Sequence, residues 1–348
     1  MHSTLYDASA SAWINELLAH AIKTTISDIH IEPYHADYRV RLRRDGLLMT
    51  NGTLTSTFAA QIHSHLKILA HLDIAEKRLP QDGRLTLSQH PTIDIRLHTC
   101  PTIGGEKMVL RLLYAKHAPL TIQNLGMTET QQQLFIKYLS EPQGLILITG
   151  PTGSGKTMTL YAALQWLNHE TTNIITIEDP IEITLPGIQQ INIHPRIGLT
   201  FSALLRAILR QDPDIIMIGE IRDPETARIA VTAAETGHLV LATLHTSEAS
   251  ATSRRLKTLG IAEEQIKQLK PLILAQRLLR QCCPDCCAQK EPCAHCYQGY
   301  KGRIGLFECL EIANVKTNTL TLREAGLLKV KKGLTTIAEL IRVLGPAK

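Results

Sequence analysis

The chain has 348 residues, 44% of them hydrophobic and 20% charged; the length predicts two domains and the balance excludes wholesale disorder. No apolar run approaches about 18 residues, which excludes a membrane-spanning helix, and Met1-His2-Ser3-Thr4 opens no secretory signal. Thirty-seven lysines and arginines against 32 acids leave a net +5. That excess suits an anionic ligand or an acidic membrane surface and is too small to imply DNA binding.

Trp13, Ile14, Leu17, Leu18, Ala21 and Ile22 recur at helical spacing and predict a helix over 12–26. Ser27 to Pro33 then alternates, Ile29 and Ile31 to one side and Asp28, His30 and Glu32 to the other, as a strand does. Tyr38 to Arg43 alternates again and runs into Asp45-Gly46, a hairpin signal. Arg39, Arg41, Arg43 and Arg44 line that hairpin, as a solvated face or as a phosphate or subunit contact. A second helix is predicted over 58–72, a loop over Pro80–Arg84, and strands near 92–98 and 106–113. Residues 1–118 therefore read as a small α+β domain and 119–126 as a linker.

From 127 to 348, short apolar strands alternate with longer helical patterns. The strands are Leu145–Thr149, Asn173–Ile177, Ile215–Ile218 and Leu239–Thr243. Such runs predict an α/β domain with a mostly parallel sheet covered on both faces. Gly150-Pro151-Thr152-Gly153-Ser154-Gly155-Lys156-Thr157 follows the first strand directly, and a helical pattern from Met158 follows it. Motif and context both match a P-loop, whose backbone N–H groups and following helix N-terminus cradle phosphates. Lys156 supplies a charge near the β- and γ-phosphates, and the Thr157 hydroxyl can ligate Mg²⁺.

The other strands also end in polar groups: Glu178 with Glu182, then Glu220, then His245. Ligands of a parallel sheet sit outside the carboxyl ends of its strands, so these groups are expected around one site. Glu220 follows four apolar residues and Gly219, the layout of an acid that orients or activates the attacking water. Glu178 and Glu182 can hold metal or water, or cap a turn; His245 can sense a γ-phosphate, or serve structure alone. Arg222 and Asp223 are expected to pair with each other.

Seven of the eight cysteines lie between Cys282 and Cys309. In a chain without a secretory signal such clustering reads as metal binding before disulfides. Cys283, Cys286, Cys293 and Cys296 form two Cys-x-x-Cys knuckles of a structural tetrahedral zinc site, in a module near 280–300. Cys282, Cys287 and His295 leave the register open. Cys100 and Cys309 are expected to be buried small hydrophobes.

Taken together these strings resemble the secretion ATPases of type II secretion and type IV pilus assembly. The matching segments are Ser27–Pro33, Leu79–Arg84, the P-loop, Ile177–Glu182, Ile218–Asp223, Ala242–Thr246, the paired cysteines and Thr321–Gly326. The resemblance implies a RecA-like P-loop NTPase domain with a preceding PAS-like domain, assembled as a homo-hexameric ring that binds ATP and Mg²⁺ between domains. It implies that 178–182 form the family's Asp box, Glu220 its Walker B glutamate and His245 its His box. Arg84 and Arg96 match arginines that reach the nucleotide from the smaller domain. Hydrolysis is then expected to drive an inner-membrane platform protein from the cytoplasmic face, with peripheral membrane association. Retraction motors of the superfamily lack the cysteine module, so assembly or secretion is favoured. Against the family, the chain is expected to be a short form without a further N-terminal domain, and Ser247 replaces a common Asn. The alternative is a nucleic-acid-translocating ring. That motor needs channel cations with stacking aromatics, and aromatics are only 4% here, so no nucleic-acid partner is expected.

Overall fold

The computed structural model describes residues 9–87, 90–114, 121–246, 248–286, 293, 296–312 and 320–346. The chain divides into two compact units, residues 1–117 and 118–348.

The first unit opens with helix α1 (Ala10–Lys23), capped by the Ser9 hydroxyl, which accepts from the Ala12 N–H. Strands β1 (Asp28–Tyr34), β2 (Asp37–Arg44) and β3 (Leu47–Leu54) follow, then helix α2 (Ser56–Leu69) and strands β4 (Gln81–Leu87), β5 (His90–Thr102) and β6 (Gly105–Tyr114). Asp45 and Gly46, both at positive φ, turn β2 into β3 as a primed turn requires. The sheet is antiparallel in the order β3-β2-β1-β6-β5-β4. Ile29, Ile31, Val40, Leu42, Ile95, Leu97, Met108 and Leu110 form one core with Trp13, Ile14 and Leu18 of α1 and Ile62 and Leu66 of α2.

The opposite face of this sheet is an ordered ion-pair array. Glu32 takes Arg39 at 2.7 Å, Arg41 at 2.6 Å and Lys107 at 3.1 Å. Burial pushes its carboxyl upward, but Arg41, Arg39 and Lys107 together hold it down at about 2. Asp28 pairs with Arg111 at 2.9 Å and Arg43 at 3.6 Å.

Two expectations for this unit are corrected. Gln81–Arg84 is not a loop but the first half of β4, with Gln81 opposite Thr99 and Arg84 opposite Arg96. The inward position is Gly83, where a Cβ would come within 2.6 Å of the Ala70 carbonyl, so the strand shows no apolar side chain there. Cys100 is exposed, because it alternates with Thr99 and falls on the face away from the core.

The second unit contains α3 (Glu129–Leu139), β7 (Gly144–Thr149), α4 (Lys156–Leu167), β8 (Ile174–Glu178), β9 (Gln189–Asn192), α5 (Phe201–Ile208), β10 (Ile215–Ile218) and α6 (Pro224–Glu235). It continues through β11 (Leu239–Leu244), α7 (Ala249–Thr258), α8 (Glu263–Leu269), β12 (Leu272–Cys282), β13 (Tyr300–Glu311), α9 (Leu322–Lys331) and α10 (Ile337–Leu344). Sheet order is β13-β12-β7-β11-β10-β8-β9, parallel throughout except for the antiparallel edge pair β12–β13. Alternation along β7 explains the two layers. Leu145 and Leu147 face a core shared with α5, α6 and α7, while Ile146 and Ile148 face a second core shared with α3 and α4. Ile122 and Met127 are buried in that second core. Cys309 is buried, and burial raises its thiol to about 12.

Candidate functional site

Strand β7 delivers the P-loop at its carboxyl end. Register then fixes what surrounds it, for Leu244 of β11 and Ala275 of β12 both lie level with Thr149, and Ile177 of β8 lies level with Ile218 of β10. Parallel pairing therefore gathers the loop, Glu178, Glu220 and His245 at one end of the sheet.

The loop runs close over its neighbours. Gly150 sits at φ 153°, and a Cβ there would come within 2.5 Å of the Gln276 carbonyl and 2.6 Å of Ser154 Oγ. Gly155, at φ 88°, is the N-cap of α4 and offers no side-chain cap. The first N–H groups of α4 are thus left for an anion, with the positive end of the helix dipole behind them. Ser154 Oγ is buried without a hydrogen-bond partner among the described residues. Lys156 is buried, its Nζ donating to the carbonyls of Gly150 at 2.9 Å and Pro151 at 3.1 Å. Burial holds its ammonium below the usual lysine range; Glu220 pulls it up and Arg277 pushes it further down. A glycine cradle, an unpartnered hydroxyl and a buried cation together fit a phosphate chain. Thr157 and Met158 open the first turn of α4 beside Lys156.

Glu220 stands just past the end of β10. Its Oε2 lies 3.1 Å from His245 Nε2, and its Oε1 is ion-paired with Arg222. Arg222 also lies 3.9 Å from Asp179 Oδ2. The expected Arg222–Asp223 pair does not form. Asp223 instead caps α6, accepting from the Thr226 N–H at 2.8 Å and hydroxyl at 2.7 Å. Arg222 is thus a site residue that sequence reasoning set aside, although its place two residues after Glu220 was available as a signal.

Glu178 ends β8 and is buried. Its carboxylate accepts from Thr176 Oγ1 at 2.7 Å, from Gln190 Nε2 at 2.9 Å and from the Tyr161 hydroxyl. Tyr161 OH in turn accepts the Glu182 N–H at 3.2 Å, and burial followed by the Glu178 charge drives its phenol pKa upward. This carboxylate is committed to bracing α4 and the 179–182 turn against β8. Glu182 is brought to the same brace through its backbone. A hydroxyl relay secures the next strand: Thr149 Oγ1 accepts the Thr246 N–H at 2.9 Å, and Thr246 Oγ1 meets Thr252 Oγ1 of α7 at 2.9 Å. Ser247 lies outside the described residues.

Arg84 and Arg96 belong to the first unit. They are direct cross-strand neighbours, with Arg96 opposite Arg111 in turn. The structure brings these two together with each other.

The sulfurs of Cys283, Cys286, Cys293 and Cys296 all lie within 4.8 Å of one another. Cys283–Cys293 is 3.7 Å and Cys286–Cys296 is 3.5 Å. A tetrahedral metal with bonds of about 2.3 Å to sulfur places its thiolates roughly 3.8 Å apart, so the donor set fits such an ion. Cys282 ends β12 and is outside this set, while Cys287 and His295 lie outside the described residues.

The family model described as Type II/IV secretion system protein matches residues 5–342. A protein transport protein HofB homolog of Haemophilus influenzae is 50% identical, over 95% of this chain and 72% of its own length. The type IV pilus assembly ATPase PilB of Acinetobacter baylyi is 45% identical, over 97% of this chain and 66% of its own. Among solved structures, the ATPase DotB of Legionella pneumophila is similar in fold, with a TM-score of 0.73 at 22% identity, covering 98% of this chain and 97% of that one.

Proposed function

The chain belongs to the Type II/IV secretion system protein family, and from that membership and the site's geometry we propose that it is the ATP-hydrolysing motor of a pseudopilus or type IV pilus assembly system. That it is an ATPase follows from the family and its named relatives. The observation that carries the mechanism is the phosphate cradle of β7 and α4 with Glu220 at the same end of the sheet. We assign the second unit to the RecA-like class and the antiparallel first unit to the PAS-like class.

In this reading the loop N–H groups and Lys156 hold the phosphates. Thr157 is the ligand for Mg²⁺, which supplies charge neutralisation when bound. Glu220 orients and deprotonates the attacking water. Arg222 and His245 fix its two oxygens, and His245 is assigned to sensing the γ-phosphate. Glu178 acts from behind, through Tyr161, by holding α4 in place. Arg84 and Arg96 form an adjacent arginine pair suited to a phosphate, supplied in a ring of six subunits.

Zinc fits the four-cysteine set. Metal analysis of the purified chain is expected to return about one zinc per chain, and substitution of Cys283 and Cys293 by serine to remove it. Folded, metal-free wild-type protein would reject the site.

No helix among the described residues is long and apolar enough to cross a membrane; the proposed station is the cytoplasmic face of the inner membrane, with peripheral association. Tagged chain recovered from native membranes is expected to carry a polytopic platform protein. Recovery of DNA in its place would favour the nucleic-acid-translocating ring instead.

A further inference from the structure

Strand β12 brings a second basic side chain to the P-loop. It runs parallel to β7 with Ala275 level with Thr149, so Gln276 and Arg277 come level with the start of the loop. Strand alternation sends the two to opposite faces of the sheet. Gln276 is buried toward α4, where its Oε1 accepts from the Thr159 hydroxyl at 2.9 Å. Its Nε2 stands 2.9 Å from where a Gly155 Cβ would be. Arg277 takes the other face. Its Nη1 donates to the Gln276 carbonyl at 2.8 Å and stands 3.3 Å from where a Gly150 Cβ would be. The guanidinium therefore lies along the first residue of the loop.

We propose that Arg277 is a second phosphate-binding cation of this site, supplied by β12 of the same chain, which contacts the phosphate chain of the bound nucleoside triphosphate beside Lys156. This rests on the phosphate-site reading given above. Two observations support it. The guanidinium reaches the loop at its first residue, 3.3 Å from where a Gly150 Cβ would be, at the end of the sheet that holds Lys156 and Glu220. The charge of Arg277 also reaches Lys156: burial holds the lysine below its ordinary value and the arginine lowers it further, while burial holds Arg277 below its own. Glu308 and Glu248 draw Arg277 back up from β13 and from the residue before α7. A buried lysine and a partly buried arginine at one end of the sheet are both stabilised by an anion that reaches them together. A polyphosphate bearing several charges is that anion, and the planar fork of arginine suits its paired oxygens.

The test is calorimetric titration of the full chain with Mg-ATP and, separately, with tripolyphosphate, for wild type, Arg277→Gln and Arg277→Lys, with melting temperatures recorded. Arg277→Gln is expected to weaken both ligands about tenfold or more at unchanged melting temperature, and Arg277→Lys to recover part of the loss. Unchanged ATP affinity in folded Arg277→Gln overturns the proposal, as does a loss confined to ATP with tripolyphosphate unaffected. If the glutamine variant does not fold, the lysine variant decides, with a smaller loss common to both ligands expected and no loss overturning the idea. Failure of the wild type to bind either ligand overturns the phosphate-site reading itself, and this proposal with it.

Discussion

Replacing Glu220 by glutamine is expected to abolish most ATP turnover while leaving ATP binding intact. The carboxylate is held by Arg222 on one oxygen and by His245 at 3.1 Å on the other. A glutamine amide keeps the shape and one accepting oxygen, so the strand end and the P-loop stay where they are. What it loses is the ability to take a proton from water. General-base contributions of this kind run to about 10²–10⁴-fold. Phosphate release under saturating ATP measures the loss, and nucleotide titration measures the retained binding. Turnover at the wild-type rate would remove Glu220 from the chemistry. Loss of binding in step with turnover would make it a structural residue. Each Glu220 oxygen keeps a second lone pair beyond its contact with Arg222 or His245, and that is where the water is received.

The second large effect is expected at Lys156. Its buried ammonium is the one lysine charge within the loop, and it donates to two loop carbonyls at 2.9 and 3.1 Å. Lys156→Ala removes the cation that a β- or γ-phosphate meets and leaves those carbonyls without their donor. Charge-assisted hydrogen bonds contribute about 1.5–3 kcal/mol each. ATP affinity should therefore fall by roughly ten- to a hundredfold, with hydrolysis falling at least as far. Titration with ATP on a variant of unchanged circular dichroism checks this. Affinity within twofold of wild type would contradict the cradle described above.

The parallel core was legible because β7, β8, β10 and β11 are buried on both faces, so their apolar runs stand out from the helices between them. The shared end of the site followed from the same fact, since parallel strands present their carboxyl termini together. The edge pair was harder to see. In β12, Leu272–Ala275 and Leu278–Leu279 are spaced as much like a helix as a strand, with Gln276 and Arg277 interrupting the apolar run. The short strand β9 has no apolar alternation to betray it, since only Ile191 is hydrophobic. Nor could the brace around Glu178 be foreseen. Tyr161, Thr176 and Gln190 come from a helix and two strands, and each looks like ordinary core or edge until α4 is laid over β8. The Arg222–Glu220 ion pair was hidden for another reason. Adjacent Asp223 offers an obvious partner, but the N-terminus of α6 has the stronger claim on that carboxylate.

Gln276 lies against the P-loop, and seven residues later the same stretch of chain reaches Cys283. An extended strand rises about 3.3 Å per residue, so the two points stand roughly 20 Å apart on one piece of hydrogen-bonded backbone. Strand β13 pairs along most of that length, with a register shift between Arg280 and Cys282. The cysteine module and the nucleotide loop are therefore served by the two ends of one strand, so the place of the first thiol is tied through the backbone to that of Gln276.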